Sequence, residues 1–331
     1  MKICIYGTGA VGGSLGSVLA NAKGNNEHEM TFIARGEHLK KMQDWGLHMI
    51  TPDGDQTING TFTNLMTSVP TPDYLILCVK SYSLPAIEEN ISRLAGPDTV
   101  IIPVINGIPW WHFLGTEGPL KDFVPECLDP KGNLRKFMPM KNVVGSVVYM
   151  AASVIEPGIV KNSKHPPRFM VSELNGAKTQ RIEKLAGVLE QAGFSKPLAE
   201  DIRREIWLKL CWNIAFNPIS ALTGLNSAEI VEDIHTREGA VKLMRELEQI
   251  ALKIGIDMKL DIEERMNVAR KSGGHKPSML QDLENKKPLE IAAIVGAPLE
   301  IAAKLGLACP TIENLHTALL KKQSDAGIVA S

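Results

Sequence analysis

The sequence predicts a two-domain protein in which an α/β domain with a parallel sheet is followed by an all-α domain. Short apolar runs alternate with amphipathic segments in the first half of the chain, which is typical of parallel strands connected by helices. After about Ala177 the strand patterns give way to long helical ones. With 331 residues the chain is long enough for two separate cores. We therefore predict one domain at residues 1–175 and a second at 176–331.

The predicted elements follow from residue type and spacing. Four apolar runs rich in isoleucine and valine are predicted to be buried strands, at residues 2–6, 30–34, 74–79 and 100–104. A helix of small residues at 10–22 connects the first two strands, which predicts a parallel strand–helix–strand unit. Further strands are expected at 143–150 and 168–172, and helices at 179–192, 199–216, 236–255, 289–305 and 311–323. The stretch 110–141 is expected to be a surface insertion, because it is rich in turn residues and charge.

A glycine-rich motif of the form G-x-G-x-x-G follows the first predicted strand and opens the first predicted helix: Gly7-Thr8-Gly9-Ala10-Val11-Gly12. In such a loop the first glycine permits a tight turn, the second lets the backbone approach a pyrophosphate, and the third lets helix and strand pack closely. The helix N-terminus adds N–H groups and the positive end of its dipole. A purely structural turn is the alternative. The strand–loop–helix context favours a Rossmann-type dinucleotide-binding domain with residues 7–12 at the cofactor.

The residue after the second predicted strand indicates which dinucleotide binds. Domains that bind NAD usually have an acidic residue there, about 20 residues after the loop, for the ribose diol. This chain has Arg35 instead, and a guanidinium suits a 2′-phosphate through paired charge-assisted hydrogen bonds. His38 and Lys40 are close enough in sequence to assist. The alternative is a solvated surface arginine, but the pattern favours NADP(H).

A polar stripe interrupts an apolar helix in the second half of the chain. Lys209, Asn213 and Asn217 recur every four positions, which puts them on one side of a helix. The residues between them are mostly apolar, and buried polar groups are costly when they lack partners. Pro218 is expected to break the helix beside the last asparagine, as clefts often require. The alternative, a solvated helix face, fits poorly with so much apolar sequence around the stripe.

Composition limits the classes of partner and the compartment. Lys and Arg total 36 and Asp and Glu total 37, a net charge of −1, so we expect no general attraction for nucleic acid or an anionic membrane. The five cysteines are scattered, with no paired or metal-ligand spacing, which favours reduced thiols and no metal site. Without a signal peptide or membrane-spanning run, the protein is expected to be cytoplasmic. A homodimer through the helical domain is a further expectation.

Several ordered segments together resemble the ketopantoate reductase family. The glycine-rich loop comes first, followed by Val79-Lys80 and then by Ile105-Asn106-Gly107. The helical segment 209–223 is similar to the family pattern K-L-x-x-N-x-x-x-N-P-x-(S/T)-A-(L/I). The last two matching segments are Ser278-Met279-Leu280-Gln281-Asp282 and Leu289-Glu290-Ile291. The resemblance runs from residue 1 to about residue 320, and implies NADPH-dependent reduction of 2-dehydropantoate (ketopantoate), a small 2-oxo acid, to pantoate in pantothenate and coenzyme A biosynthesis.

The resemblance implies two catalytic residues, Lys209 and Glu290. Hydride delivery to a ketone builds negative charge on the carbonyl oxygen, and an ammonium can stabilise that charge and donate the proton. Lys209 matches the family's residue with that role. The resemblance puts Glu290 beside the substrate hydroxyl and the cofactor ribose, where a carboxylate would orient the lysine. Apart from the resemblance, a glutamate before an apolar helix is usually a first-turn dipole partner.

The resemblance also implies the binding residues. Ser278 is suited to the substrate carboxylate, while Asn213 and Asn217 are expected to hold the other polar groups of the oxo acid. Lys80 and Asn106 follow predicted strands, and ligands bind at the carboxyl ends of strands in open α/β sheets. The family uses these two residues around the cofactor and the cleft, so Asn106 is expected to serve both substrate and cofactor.

Two departures from the family pattern leave the substrate open. The family often has asparagine three residues before the serine, where this chain has His275. The stretch after Asn106 leads through Trp110-Trp111 into the expected insertion. A related reductase of another branched or aromatic 2-oxo acid is therefore one alternative, and a non-catalytic NADP(H) sensor is another. Retention of Lys209, Asn213, Ser278 and Glu290 together argues against the sensor.

Overall fold

The computed structural model describes residues 1–22, 28–162, 167–274 and 276–329. The chain divides into two compact units: Met1–Ile105 with Asn133–Ile202, and Asn106–Gly132 with Arg203–Ser331. This grouping differs from a single boundary at residue 175. The first unit extends further because the helix Gln180–Gln191 packs on the strand Arg168–Glu173, and the second unit also includes an earlier segment of chain.

The first unit contains a parallel sheet with helices, as predicted. Its strands are β1 (Lys2–Tyr6), β2 (Glu29–Ile33), β3 (Leu47–Thr51), β4 (Gly54–Ile58), β5 (Thr61–Thr63), β6 (Tyr74–Leu77), β7 (Val100–Pro103), β8 (Val144–Tyr149), β9 (Ala152–Glu156), β10 (Ile159–Asn162) and β11 (Arg168–Glu173). Its helices are α1 (Ala10–Ala20), α2 (Gly36–Trp45), α3 (Glu88–Leu94), α4 (Leu134–Phe137) and α5 (Gln180–Gln191). Together they make the predicted Rossmann-type architecture.

The main sheet has the strand order β5-β2-β1-β6-β7, and every neighbouring pair is parallel. The four predicted strands are therefore confirmed as β1, β2, β6 and β7. Their side chains are buried along almost their whole length, as expected for a sheet covered on both faces. This arrangement brings the carboxyl ends of β1 and β6 side by side, and the Cys78 N–H donates to the Tyr6 carbonyl at 2.8 Å.

A second, mixed sheet has the order β4-β3-β10-β9 and packs on α1. Sequence patterns did not predict it, because its strands are short and partly exposed and lack a continuous apolar run. The contact with α1 is close, since a side-chain carbon on Gly13 would lie 3.2 Å from the Val160 Cγ2 atom. The predicted strands at 143–150 and 168–172 form the antiparallel pair β8 and β11.

The second unit is helical, as predicted for the C-terminal part of the chain. Its helices are α6 (Ile202–Thr223), α7 (Ser227–Glu232), α8 (Ile234–Lys253), α9 (Ile262–Lys271), α10 (Ser278–Glu284), α11 (Ala297–Lys304) and α12 (Pro310–Asp325). The short helices α7, α9 and α10 were not predicted. The predicted helix 289–305 is divided, because a π-helical turn (Ala292–Gly296) precedes α11.

The prediction that Pro218 breaks its helix is wrong. The helix α6 continues through Pro218 to Thr223, although a proline inside a helix costs about 3 kcal/mol. Ile219 and Ala221 after the proline are buried, and the Ser220 hydroxyl donates to the Leu225 carbonyl at 2.5 Å. Tertiary burial of this last turn therefore outweighs the local cost.

The prediction of a surface insertion at 110–141 is also wrong for much of that stretch. Trp110 and Trp111 are each 1% exposed, and His112 is fully buried. Leu134 and Met138 are fully buried as well. The turn residues that suggested a surface loop connect side chains that belong to the two cores.

Some global features bear on the classes of function. Within the described ranges, no helix is both long and apolar enough to cross a membrane. In the same part of the chain, no group of three or more histidine, cysteine or acidic residues could hold a metal ion. All five cysteines are free thiols, and burial raises the pKa of Cys4, Cys78 and Cys211 to about 12. Thiols with such pKa values are protonated and unreactive at neutral pH.

Candidate functional site

The predicted site residues fall into two groups, one in each compact unit. The first group is the phosphate loop (residues 7–12) with Arg35 and Lys80. The second group lies in the helical unit and comprises Asn106, Lys209, Asn213, Asn217, Ser278 and Glu290. His275, at the position where the family often has asparagine, lies outside the described residues.

The glycines of the phosphate loop are required by its geometry. Gly7 has φ +96°, and a Cβ on Gly12 would lie 2.2 Å from the Gly7 carbonyl oxygen, inside any tolerable contact. Gly9 is different, because among the described residues, its own chain neighbours and local helix backbone aside, no atom lies within 4 Å of the position that its Cβ would take. The loop therefore packs tightly at its first and third glycines and is open at the second.

The phosphate loop is fastened to the end of β2 by one carbonyl group. The Ile33 oxygen accepts hydrogen bonds from the Gly7 and Thr8 N–H groups, both at 3.0 Å, and from the Thr8 hydroxyl at 3.1 Å. Gly9 is the N-cap of α1 and has no side chain to cap it, so the first turn, which begins with Ala10 and Val11, directs N–H groups outward. This open face, with the positive end of the helix dipole, fits a dinucleotide pyrophosphate.

Arg35 lies two residues after Ile33, as the N-cap of α2, and is exposed. Its charge acts on the carboxyl end of β1: burial raises the pKa of the Tyr6 phenol, while a hydrogen bond from Asn90 and the positive charge of Arg35 oppose that rise. Lys40 is also exposed. Both are therefore solvent-accessible cations at the start of α2. His38, expected to assist them, is half-buried and hydrogen-bonded to backbone groups instead.

Lys80 follows β6 and is the N-cap of a short 3₁₀ turn, Ser81–Ser83. The phosphate loop lies against the residues just before it, since a Cβ on Gly7 would be 2.8 Å from the Cys78 carbonyl oxygen. Lys80 is half-buried. It therefore lies at the same edge of the sheet as the loop, where ligands bind in open α/β sheets.

In the helical unit, α6 carries the predicted polar stripe into the core. Lys209 is half-buried, whereas Asn213 and Asn217 are only 6% and 4% exposed. The Asn217 Nδ2 atom is 3.4 Å from the hydroxyl of Ser278, at the start of α10. Among the described residues, the Asn213 Nδ2 atom is buried without a hydrogen-bond partner. Such a group is costly to bury, and a ligand oxygen would satisfy it.

The structure also brings Asn106 and Glu290 together. The Asn106 side-chain amide donates to the Glu290 carboxylate at 3.1 Å, and Glu290 is only 4% exposed. The next residue, Gly107, has φ +79°, and a Cβ there would lie 2.1 Å from the Ala293 carbonyl oxygen. The Ile108 N–H donates to that same oxygen at 2.9 Å. The backbone after Asn106 is thus fixed to the turn that follows Glu290.

Sequence patterns did not predict an interaction between α6 and His112, which lies six residues after Asn106. The Trp207 indole N–H donates to His112 Nε2 at 2.9 Å, and the Arg203 guanidinium donates to the His112 carbonyl at 2.7 Å. Burial, with the nearby Arg203 charge, lowers the pKa of His112 to about 3, so this histidine is neutral. Arg203 and Trp207 are four residues apart on α6, and that spacing was the available signal.

Comparison with known proteins assigns both units to one family. The ketopantoate reductase PanE/ApbA model matches residues 3–176, and the ketopantoate reductase PanE/ApbA C-terminal model matches residues 201–323. A 2-dehydropantoate 2-reductase of Mesorhizobium japonicum is 38% identical over 314 residues, which are 95% of this chain and 95% of that protein.

Solved structures resemble the whole chain. A 2-dehydropantoate 2-reductase from Geobacter metallireducens superposes with a TM-score of 0.83 at 26% identity, covering 97% of this chain and 99% of that one. A protein from Ralstonia solanacearum, whose assignment as a ketopantoate reductase is provisional, has a TM-score of 0.91 at 31% identity, with 99% of each chain covered. D-mandelate dehydrogenase with NADH and anilino(oxo)acetate has a TM-score of 0.83 at 24% identity over 99% of this chain and 100% of that one, which shows a shared fold.

The contrast between Gly9 and Gly12 tests whether the loop binds a dinucleotide. Gly9→Ala should leave thermal unfolding nearly unchanged, because the added methyl meets open space, yet weaken dinucleotide binding by about tenfold or more, because the methyl occupies the face that a pyrophosphate approaches. Gly12→Ala should destabilise the fold by about 1–3 kcal/mol or more through overpacking. Calorimetry and fluorescence titration with NADPH measure the two effects. Unchanged affinity in Gly9→Ala would make the loop a structural turn only.

Proposed function

The chain belongs to the ketopantoate reductase family of NADPH-dependent oxidoreductases, and from this premise we propose that it reduces 2-dehydropantoate to pantoate. That reaction is a step toward pantothenate and coenzyme A. The structural observation that carries the proposal is the buried Nδ2 of Asn213, which has no hydrogen-bond partner among the described residues and lies on the same face of α6 as Lys209. A polar group of this kind, beside a lysine, suits a small substrate with several oxygen atoms.

The chemistry divides between cofactor and protein. NADPH, when bound, supplies the hydride that reduces the keto carbon. Lys209 is proposed to hold its ammonium at the carbonyl oxygen, where it stabilises the developing negative charge and donates the proton. Glu290 is proposed to orient Lys209 and to accept a hydrogen bond from the product hydroxyl.

Each remaining site residue has a proposed binding role. Asn106 holds the Glu290 carboxylate through its side-chain amide, and both are assigned to the cofactor ribose as well as the reacting group. Ser278 is assigned to the substrate carboxylate, because its hydroxyl lies 3.4 Å from the side-chain amide of Asn217 on the polar face of α6. Asn213 and Asn217 are assigned to the remaining substrate oxygens.

The proposed cofactor residues in the first unit are those of the phosphate loop, with Arg35 and Lys80. The open face at Gly9 and the outward N–H groups of α1 support a role at the pyrophosphate. Arg35 is assigned to the 2′-phosphate, because it is an exposed cation at the end of β2. Lys80 is assigned to the same cofactor from the end of β6.

A related reductase of another branched or aromatic 2-oxo acid is the second candidate. The observation that favours it is the buried pair Trp110 and Trp111, shortly after Asn106. Steady-state NADPH oxidation across a panel of 2-oxo acids, including ketopantoate and an aromatic member, separates the candidates. The proposal requires the highest kcat/KM with ketopantoate; a larger acid with a higher value supports the second candidate. Turnover of none of the acids, with NADPH still bound, would indicate a sensor.

Location and assembly are further proposals. The five buried or half-buried free thiols suit a reducing compartment, which supports the cytoplasm. Exposed apolar side chains in the helical unit, among them Ile234, Leu252, Val268 and Leu320, support a homodimer through that unit. Light scattering of the purified protein measures its mass and tests the dimer.

Arg35 should confer a preference for NADPH over NADH, because NADPH alone carries a 2′-phosphate. In Arg35→Ala the affinity for NADPH should fall about tenfold or more, since a charge-assisted pair is lost, while NADH binding should change little. Fluorescence titration of both cofactors measures the ratio. Lys253→Ala, which removes an exposed lysine of the other unit, is the control. An unchanged ratio in Arg35→Ala would refute the assignment.

Lys209→Ala should lower kcat by roughly 10²–10⁴-fold, the usual effect of removing a positioned acid. NADPH affinity should barely change, because the phosphate loop lies in the other unit. Single-turnover and steady-state rates with Lys209→Ala, Glu290→Ala and the double variant measure the coupling. We expect losses that do not multiply, because the two residues act together. A near-normal kcat in Lys209→Ala would remove Lys209 from the chemistry.

A further inference from the structure

His38 lies between the phosphate loop and a turn of the second sheet. Its Nε2 atom is 2.6 Å from the Thr8 carbonyl oxygen, and its Nδ1 atom is 2.8 Å from the backbone nitrogen of Gly158, in the turn between β9 and β10. A backbone N–H can only donate, so Nδ1 accepts and carries no proton. The neutral ring then carries its proton on Nε2 and donates it to Thr8. The two contacts together determine the tautomer.

The contact with Thr8 has a consequence for the next residue. A trans peptide is planar, with its C=O and N–H pointing in opposite directions, and the chain has no cis peptide among its described residues. Because the Thr8 carbonyl points toward His38, the N–H of Gly9 points away from it. The preceding N–H groups, of Gly7 and Thr8, are already bonded to Ile33. His38 therefore determines the direction of the first loop N–H that Ile33 does not hold.

From this geometry we infer that His38 is a positioning residue for the pyrophosphate, acting through the Thr8–Gly9 peptide rather than by touching the cofactor. The inference rests on the proposed NADPH-dependent activity. A direct contact with the 2′-phosphate would need a ring nitrogen turned outward, but both nitrogens bond to backbone groups. The Gly158 contact fixes the ring from its other side, and Gly158 is itself held close, since a Cβ there would lie 2.8 Å from the Lys41 Cβ.

The two dinucleotides separate positioning from direct contact. NADPH and NADH share the pyrophosphate and differ in the 2′-phosphate. Loss of a residue that positions the loop should therefore lower the affinity for both cofactors by the same factor. For His38→Phe, we expect the affinity for each cofactor to fall about tenfold, because one hydrogen bond is lost and the loop becomes less well ordered. His38→Gln, which can both donate and accept, should recover most of the affinity. Arg35→Ala is the matched comparison, because this substitution should lower the affinity for NADPH alone.

The measurement is fluorescence titration of full-length wild type and variants with NADPH and with NADH, alongside thermal unfolding without cofactor. A loss selective for NADPH would overturn the inference in favour of direct 2′-phosphate contact. A lowered unfolding temperature with both affinities unchanged would reduce His38 to a packing role. If His38→Phe does not fold, His38→Met provides the same comparison. The titrations measure binding and not turnover. If the protein reduced no 2-oxo acid, the proposed function would be wrong, but the comparison of cofactor affinities would still test the role of His38.

Discussion

At Gly12 the first turn of α1 lies against the phosphate loop, so close that one methyl group would come within 2.2 Å of the Gly7 carbonyl oxygen. One turn later, a methyl group on Gly16 would lie 2.3 Å from the Phe32 ring. These two approaches bring α1 down onto β1 and β2, which points its N-terminus over the end of the sheet. The second sheet depends on the same approach, because it packs on the opposite side of α1 through Gly13 and Val160. The close packing of α1 on the main sheet therefore determines the position of the second sheet and of the open face of the phosphate loop.

A comparable constraint organises the helical unit. Gly107 meets the Ala293 carbonyl where no side chain would fit, and the Ile108 N–H bonds to that oxygen. Pro298, five residues after Ala293, has no N–H to offer the preceding turn, and the helix there adopts a π-helical turn, a form often found at functional sites. The Ala293 carbonyl, which Pro298 cannot satisfy, accepts the Ile108 N–H instead. This bond keeps the neighbouring Asn106 side chain within reach of Glu290. In both units a glycine, Gly12 or Gly107, allows two backbone segments to approach more closely than a side chain would permit.

Much of this could be predicted from sequence, for identifiable reasons. The strands of the parallel sheet are continuous apolar runs, and the glycine loop has fixed spacing, so β1, α1 and β2 follow directly. Burial of Asn213 and Asn217 also follows from the apolar residues between them. The second sheet could not be predicted, because its strands gain stability from packing on α1 and not from their own pattern. Continuation of α6 past Pro218 was likewise decided by tertiary burial.

His38 shows the same limit at the level of a single residue. Its position near Arg35 suggested a direct ligand of the phosphate, because sequence spacing gives proximity but not the direction of a ring. The partner that decides its role, Gly158, lies 120 residues away, in a sheet that the pattern did not predict. The role of a residue can be predicted from sequence when it depends on local spacing, as in the glycine loop, but not when it depends on a partner so distant in the chain.

The stretch from Asn106 to Leu114, where the chain departs from the family pattern, is largely buried and is bound at both ends. It is bound at one end to the turn after Glu290 and at the other to Arg203 and Trp207 of α6, the helix that carries Lys209. Its tryptophans fill the core between these anchors instead of forming a surface loop. A change in the size of these tryptophans would shift Asn106 and, through the hydrogen bond from Asn106, also the Glu290 carboxylate. One buried segment therefore links Glu290 to the helix that carries Lys209, so that a substitution within it would act on both proposed catalytic residues and not on substrate fit alone.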